Sequence, residues 1–201
     1  MQINDINDYF KDLSELLLSI EVTNLNGVSQ SLQNGANEAL RVICEVADND
    51  GKIILVGNGG SAAIVSHAQN DLCKAAGVRA MVFNEQPLLT ALANDDGYGS
   101  VFERPIQLWS EPGDLLLTVS SSGQSESIIR AIDAAISKHC QVITFSGFNS
   151  DNPSRSMGHL NFYVKSSVYG YVETAHTALI HYLTNSIPSR NQTPPPTITS
   201  Q

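Results

Sequence analysis

The sequence predicts a doubly wound α/β fold: a parallel five-stranded sheet flanked by helices, with a helix pair ahead of it. Three observations predict it. Short apolar runs bounded by glycine or polar turns recur along the chain. They alternate with stretches of helical length that carry an apolar stripe, the pattern of βαβ units. Right-handed crossovers then build a parallel sheet with helices on both faces.

The first fifty residues read as two helices. Tyr9, Phe10, Leu13, Leu16, Leu17 and Ile20 recur at three- and four-residue spacing. Val28, Leu32, Ala36, Ala39, Leu40, Ile43 and Val46 make a second stripe, and Asn24 to Gly27 supplies the turn between them. Such a pair covers its own domain or packs on a partner subunit. From Gly51 the pattern changes to strands that are buried on both faces. Residues 52–56, 80–83, 114–119, 141–145 and 160–164 are the five strand candidates. Residues 62–72, 88–93, 125–138 and 173–183 are the helices that follow them. Residues 1–187 form a single domain on this pattern. Residues 188–201, with three consecutive prolines and no periodic apolar face, read as a disordered tail.

Composition excludes several classes of function. Of 201 residues, 42% are hydrophobic and 15% charged, which is globular. Eleven Lys and Arg against twenty Asp and Glu leave a net charge of −9. A chain that acidic lacks the field that gathers nucleic acid or docks on anionic lipid. No apolar run approaches the roughly 20 residues of a membrane span, and no secretory signal opens the chain. Cys44, Cys73 and Cys140 are odd in number with no C-x-x-C pair, as expected of reduced thiols in the cytoplasm.

Two loops carry the clearest chemistry. Gly57-Asn58-Gly59-Gly60-Ser61 lies directly after a buried strand and directly before a helix. Glycines allow close backbone approach, and the helix start offers unpaired N–H groups and a positive dipole end to an anion. The loop has neither dinucleotide spacing nor the lysine of an NTP-binding loop. Ser120-Ser121-Ser122-Gly123-Gln124-Ser125 repeats the arrangement after the third strand, with four hydroxyls on one turn. One such loop is as well explained by ordinary capping and turn formation. Two at the C-terminal ends of parallel strands make a ligand crevice, and the implied ligand is a phosphomonoester held by neutral donors. Asn94 and Asp95 begin a polar turn that serves either a polyol substrate or the turn alone.

Two helix pairs add metal or acid–base spacing. His67 and Asp71 stand at i and i+4, Glu173 and His176 at i and i+3, so each pair shares one helix face. If the pairs converge, two imidazoles and two carboxylates could bind Zn²⁺ or serve as proton donor and acceptor. Each pair alone is equally an ordinary surface pair. His181, about 500° around the helix from His176, reads as a packed histidine on another face. His139 and His159 need no catalytic role.

A strand, Gly-Asn-Gly-Gly-Ser, a helix with His-x-x-x-acid, then Ser-Ser-Ser-Gly-Gln-Ser and a last helix with Ile-His-Tyr-Leu together resemble the sugar isomerase (SIS) domain of bacterial phosphoheptose isomerases. The likeness covers about Asp8 to Asn185 and implies a flavodoxin-like three-layer sandwich. It implies conversion of sedoheptulose 7-phosphate to D-glycero-D-manno-heptose 7-phosphate through an enediol, a cytoplasmic homotetramer with sites at subunit boundaries, and a bound Zn²⁺. By position, Ser61, Ser120, Ser122 and Ser125 would hold the phosphate with Ser121 nearby. Asn58, Gly59, Gly60, Asn94, Asp95 and Glu173 would line the substrate site. His67, Asp71, Glu173 and His176 would be the metal ligands, with Asp71 the base and His176 the acid. The family commonly has Glu at Asp71, Gln at Glu173 and Arg at Tyr171, and an arginine after the first sheet-side helix where Lys74 is the nearby cation. The alternatives within the same fold are an isomerase of a related sugar phosphate, a sugar-phosphate sensor, and a tetrameric scaffold that binds a replication initiator.

Overall fold

The computed structural model describes residues 5–188. The expected tail lies outside them, apart from Pro188. One seven-stranded sheet runs through the molecule. Its strands are β1 (Glu21–Asn24), β2 (Ser29–Gln30), β3 (Ile53–Gly57), β4 (Ala80–Val82), β5 (Leu115–Ser120), β6 (Gln141–Ser146) and β7 (Leu160–Tyr163). Their spatial order is β2-β1-β7-β6-β5-β3-β4. All five predicted strands are present and mutually parallel, each paired with its neighbours in the order β7-β6-β5-β3-β4. The fold class stands as read from the sequence, and the strand count is corrected from five to seven.

The two additional strands form an antiparallel hairpin that joins the sheet beside β7. β1 follows directly on the first helical stripe and reaches the predicted turn only at Asn24, and β2 replaces the start of the second predicted helix. The N-terminal helices are therefore α1 (Ile6–Leu18) and α2 (Leu32–Asp48), with the second starting at Leu32 rather than Val28. Ser31 ends the hairpin and caps α2, its hydroxyl accepting from the Asn34 N–H at 3.2 Å.

Alternation along the central strands divides the core between two faces. Ile53, Leu55, Leu115, Leu117, Val119, Ile143 and Phe145 join one cluster, with residues of α2, of α3 (Gly60–Asp71) and of α7 (Tyr169–Ser186). Ile54, Val56, Leu116 and Val142 face the other, with residues of α5 (Ser100–Trp109) and α6 (Glu126–Ser137). This is the three-layer arrangement that buries central parallel strands on both sides. β3 has β4 on one side and β5 on the other, so the chain changes direction of travel across the sheet between β3 and β5. Open α/β sheets bind ligands outside the carboxyl ends of the strands at such a switch point.

Candidate functional site

Both glycine- and serine-rich loops lie at that switch point. The first leaves β3 and enters α3; the second leaves β5 and enters α6. Gly59 has φ +55°, a left-handed conformation that permits the reversal from strand to helix. Gly123 has φ +61°, and a Cβ there would collide with the Asn152 carboxamide, so the serine turn closes only around glycine. Neither α3 nor α6 is capped by its own N-cap side chain, which leaves first-turn N–H groups available to an anion.

The loops enclose a pocket of about 220 Å³ lined by Asn58, Gly59, Gly60, Ser61, Ser120, Ser121, Ser122, Ser125, Tyr169 and Glu173. Every expected loop residue is in this wall. Ser120 Oγ accepts from the Gly123 N–H at 3.2 Å and Ser122 Oγ from the Gln124 N–H at 3.3 Å, which hold the turn. Ser121 Oγ is buried with no hydrogen-bond partner among the described residues, a donor already withdrawn from water. Asn58 is oriented from both sides: its Nδ2 donates to Ser127 Oγ at 3.0 Å, and its Oδ1 accepts from the Tyr98 hydroxyl at 2.8 Å. Asn94 and Asp95 are outside the pocket wall. They lie at the exposed end of α4 (Gln86–Asp95), where Asn94 Nδ2 donates to Asp95 Oδ1 at 2.8 Å. Their loop meets the pocket through Tyr98 instead.

Glu173 enters the wall from α7. Its Oε1 stands 2.6 Å from where a Cβ on Gly60 would be, so glycine leaves the room that the carboxylate fills. That acid lies at the start of α3, where the helix dipole favours negative charge.

Further along α3 and α7 lies a second constellation. His67 Nε2 is 3.5 Å and His181 Nδ1 3.4 Å from the same oxygen, Oδ2 of Asp71. The two rings stand at 69° with centroids 5.0 Å apart. Asp71 closes α3, and the chain then widens into a π-helical turn, Leu72–Ala76, a distortion common beside functional residues. His176 is not part of this cluster. Its ring is 0% exposed, its Nε2 lies 3.1 Å from the Ser146 carbonyl, and Phe145 meets it edge-on at 6.0 Å. His181 takes the place expected of His176, and Glu173 stays with the serine pocket. The physical reason is which face of α7 meets the core: Val172, Ala175, His176 and Leu179 are buried, whereas Glu173, Thr177 and His181 turn toward α3. The spacing i, i+4, i+8 of those three was the signal for that face.

The donor set suits a divalent cation. A tetrahedral zinc with bonds of about 2.1 Å separates its donors by about 3.4 Å, which matches the two imidazole–carboxylate distances. Two imidazoles and one carboxylate leave a coordination position open, the form of catalytic rather than structural zinc sites. Beside the cluster lies a separate depression between α3 and α7, lined by Ala63, Ile64, His67, Thr177, Ile180 and His181. Ser61 and His67 are six positions apart on α3, an axial distance of about 9 Å.

Comparison with known proteins identifies the family. The profile of the SIS domain matches residues 8–147, well over half of the chain. The chain belongs to the SIS domain family. Within it, the probable phosphoheptose isomerase of Thermoplasma volcanium is 27% identical over 94% of this chain and 93% of its own. The phosphoheptose isomerase of Shewanella sp. strain W3-18-1 is 30% identical over 74% of this chain and 78% of its own. This SIS domain thus sits on the phosphoheptose isomerase branch. In fold it is similar to the phosphoheptose isomerase of Neisseria gonorrhoeae, with a TM-score of 0.80 at 24% identity, covering 91% of this chain and 97% of that one. The Francisella tularensis enzyme gives 0.79 at 22% identity, over 92% and 97%.

Proposed function

We propose that this protein is an aldose–ketose isomerase of phosphosugars that interconverts sedoheptulose 7-phosphate and D-glycero-D-manno-heptose 7-phosphate through an enediol. One observation carries this: α3 and α7 together bear a serine-lined pocket at their starts and, further along, two imidazoles on one carboxylate. The names of the relatives supply the sugar.

The chemistry follows from the two ends. Serine hydroxyls and the N–H groups at the starts of α3 and α6 bind the phosphate without a fixed cation. Anchored there, the sugar extends along α3 toward His67, and its carbonyl end is positioned by binding energy remote from the reacting carbons. Asn58 and Glu173 meet hydroxyls along the way. Asp71 takes the proton from the carbon beside the carbonyl, and His181, on the same carboxylate oxygen, supplies the proton that the oxygen needs. A divalent ion such as Zn²⁺, held by His67, Asp71 and His181, supplies carbonyl polarisation when bound. We further infer a cytoplasmic homotetramer. In support, α1 fully buries none of its residues in its own chain although its face carries Phe10, 59% exposed, and Leu18, 80% exposed.

The test is turnover of sedoheptulose 7-phosphate with and without added zinc. Asp71→Asn and His181→Ala are expected to lower kcat by about 10²–10⁴-fold. Undiminished aldose formation by either variant refutes these roles, and no turnover under any metal condition refutes the isomerase itself.

A further inference from the structure

Tyr169 belongs to the pocket wall, yet neither burial nor any internal hydrogen bond accounts for it. It opens α7 with 62% of its surface exposed. Its hydroxyl has no partner among the described residues. A ring with an apolar body and a polar tip that faces a pocket is suited to meet a ligand there.

The ring nevertheless has a defined place. Phe148 meets it edge-on, with centroids 4.8 Å apart and planes at 86°. Phe148 itself holds φ +58°, in the left-handed region that bulky side chains avoid. Its backbone is pinned on both sides: the N–H donates to the Ser166 carbonyl at 2.9 Å, and the carbonyl accepts the Tyr163 hydroxyl at 2.8 Å. A strained conformation that its surroundings enforce is retained for geometry rather than for stability.

What that geometry serves follows from the charge of the wall. Among its ten residues there is no Lys or Arg, and Glu173 adds a carboxylate. From the described residues of this chain a phosphate monoester entering the pocket meets only dipoles and hydroxyls, so a further neutral donor matters. We propose that Tyr169 is a ligand-binding, specificity-determining residue whose phenolic O–H donates to the phosphate, and that Phe148 is its positioning residue. This rests on the assignment of the serine pocket to phosphate.

The test uses inorganic phosphate as the probe, titrated calorimetrically into the full chain, so that it does not depend on turnover. Tyr169→Phe is expected to bind phosphate about tenfold more weakly, as for loss of a hydrogen bond to a charged group, with its melting midpoint unchanged. With sedoheptulose 7-phosphate as substrate, the same variant raises KM and leaves kcat alone. Phe148→Leu, which keeps bulk but removes the ring edge, weakens phosphate binding in the same direction. Ser121→Ala serves as the control for the pocket. If Ser121→Ala weakens phosphate binding and Tyr169→Phe does not, the role of Tyr169 is overturned and the pocket stands. If Tyr169→Phe loses affinity only together with a lowered melting midpoint, its role is structural and the proposal is likewise overturned. If the unsubstituted protein binds no phosphate, or Ser121→Ala is without effect, the pocket assignment fails and takes this one with it.

Discussion

At the scale of single residues, His176 shows what enclosure does to an imidazole. Burial penalises its charged form and lowers its pKa to about 4, partly opposed by the hydrogen bond to the Ser146 carbonyl. With Nε2 as the donor the ring is neutral, and Nδ1 is left as a buried acceptor without a partner. Unfolded, the same ring titrates near 6.5. Between about pH 6.5 and pH 4 the unfolded chain therefore takes up a proton that the folded protein refuses. The stability present above that window is lost as pH falls through it, by up to about 3 kcal/mol. Chemical denaturation of the natural protein and of His176→Asn, at about pH 7.5 and about pH 5, measures this. The variant is the less stable at the higher pH, and the gap narrows by about 2 kcal/mol at the lower one. A gap that stays constant removes His176 as the titrating group. The pair His67 and Asp71 was legible from its spacing alone. The choice between His176 and His181 turned on the whole of α7 and not on one pair: the apolar stripe Val172, Ala175, Leu179 carries His176 into the core, and the polar row Glu173, Thr177, His181 faces α3.

At the scale of elements, the five parallel strands were legible because each is a short apolar run with glycine or a polar turn at its ends. The hairpin was not. Glu21–Asn24 is four residues long with one buried residue, and its neighbour has only two residues. Runs that short continue the stripe of the preceding helix and carry no period of their own. α5 was missed for another reason: Pro105 stands inside it and reads as a breaker, yet the helix holds by burying Val101, Phe102 and Ile106. α1 makes the prediction at this scale. It leans on α7 through Tyr9, stacked on Tyr171 at 4.6 Å, and packs Leu16 and Leu17 on the core, but leaves Ile6, Phe10 and Leu18 exposed. Beside it an apolar groove of about 440 Å³ is lined by Leu17, Leu18, Ile20, Leu32, Leu179 and Tyr182, among others. Phe10→Asp with Leu18→Asp is expected to reduce the assembly to smaller species in sedimentation velocity while circular dichroism stays native. An unchanged sedimentation coefficient would overturn α1 as a subunit interface.

At the scale of the molecule, the sheet sets two loops side by side at its switch point, and two helices carry the site from there to the His67–Asp71–His181 cluster. A ligand that binds the folded state alone stabilises it by about 3–4 kcal/mol at one hundred to one thousand times its Kd. Zinc is therefore expected to raise the melting midpoint of the chelator-treated protein by several degrees. His181→Ala abolishes most of that rise, and His176→Asn retains it. An equal rise in both variants would mean that zinc binds elsewhere. Both loops at the switch point were legible, since strand–glycine–serine–helix order is written in the chain. Tyr98 and Tyr169 were not, because each reaches the pocket through tertiary contacts that no local spacing encodes.

The sheet also ends in a particular way. One margin is β2, two residues long, and the other is β4, three residues long. Margins so brief present too few unpaired amides to template the addition of another chain, the usual route by which open sheets aggregate. Addition of a further strand is thus disfavoured at both margins.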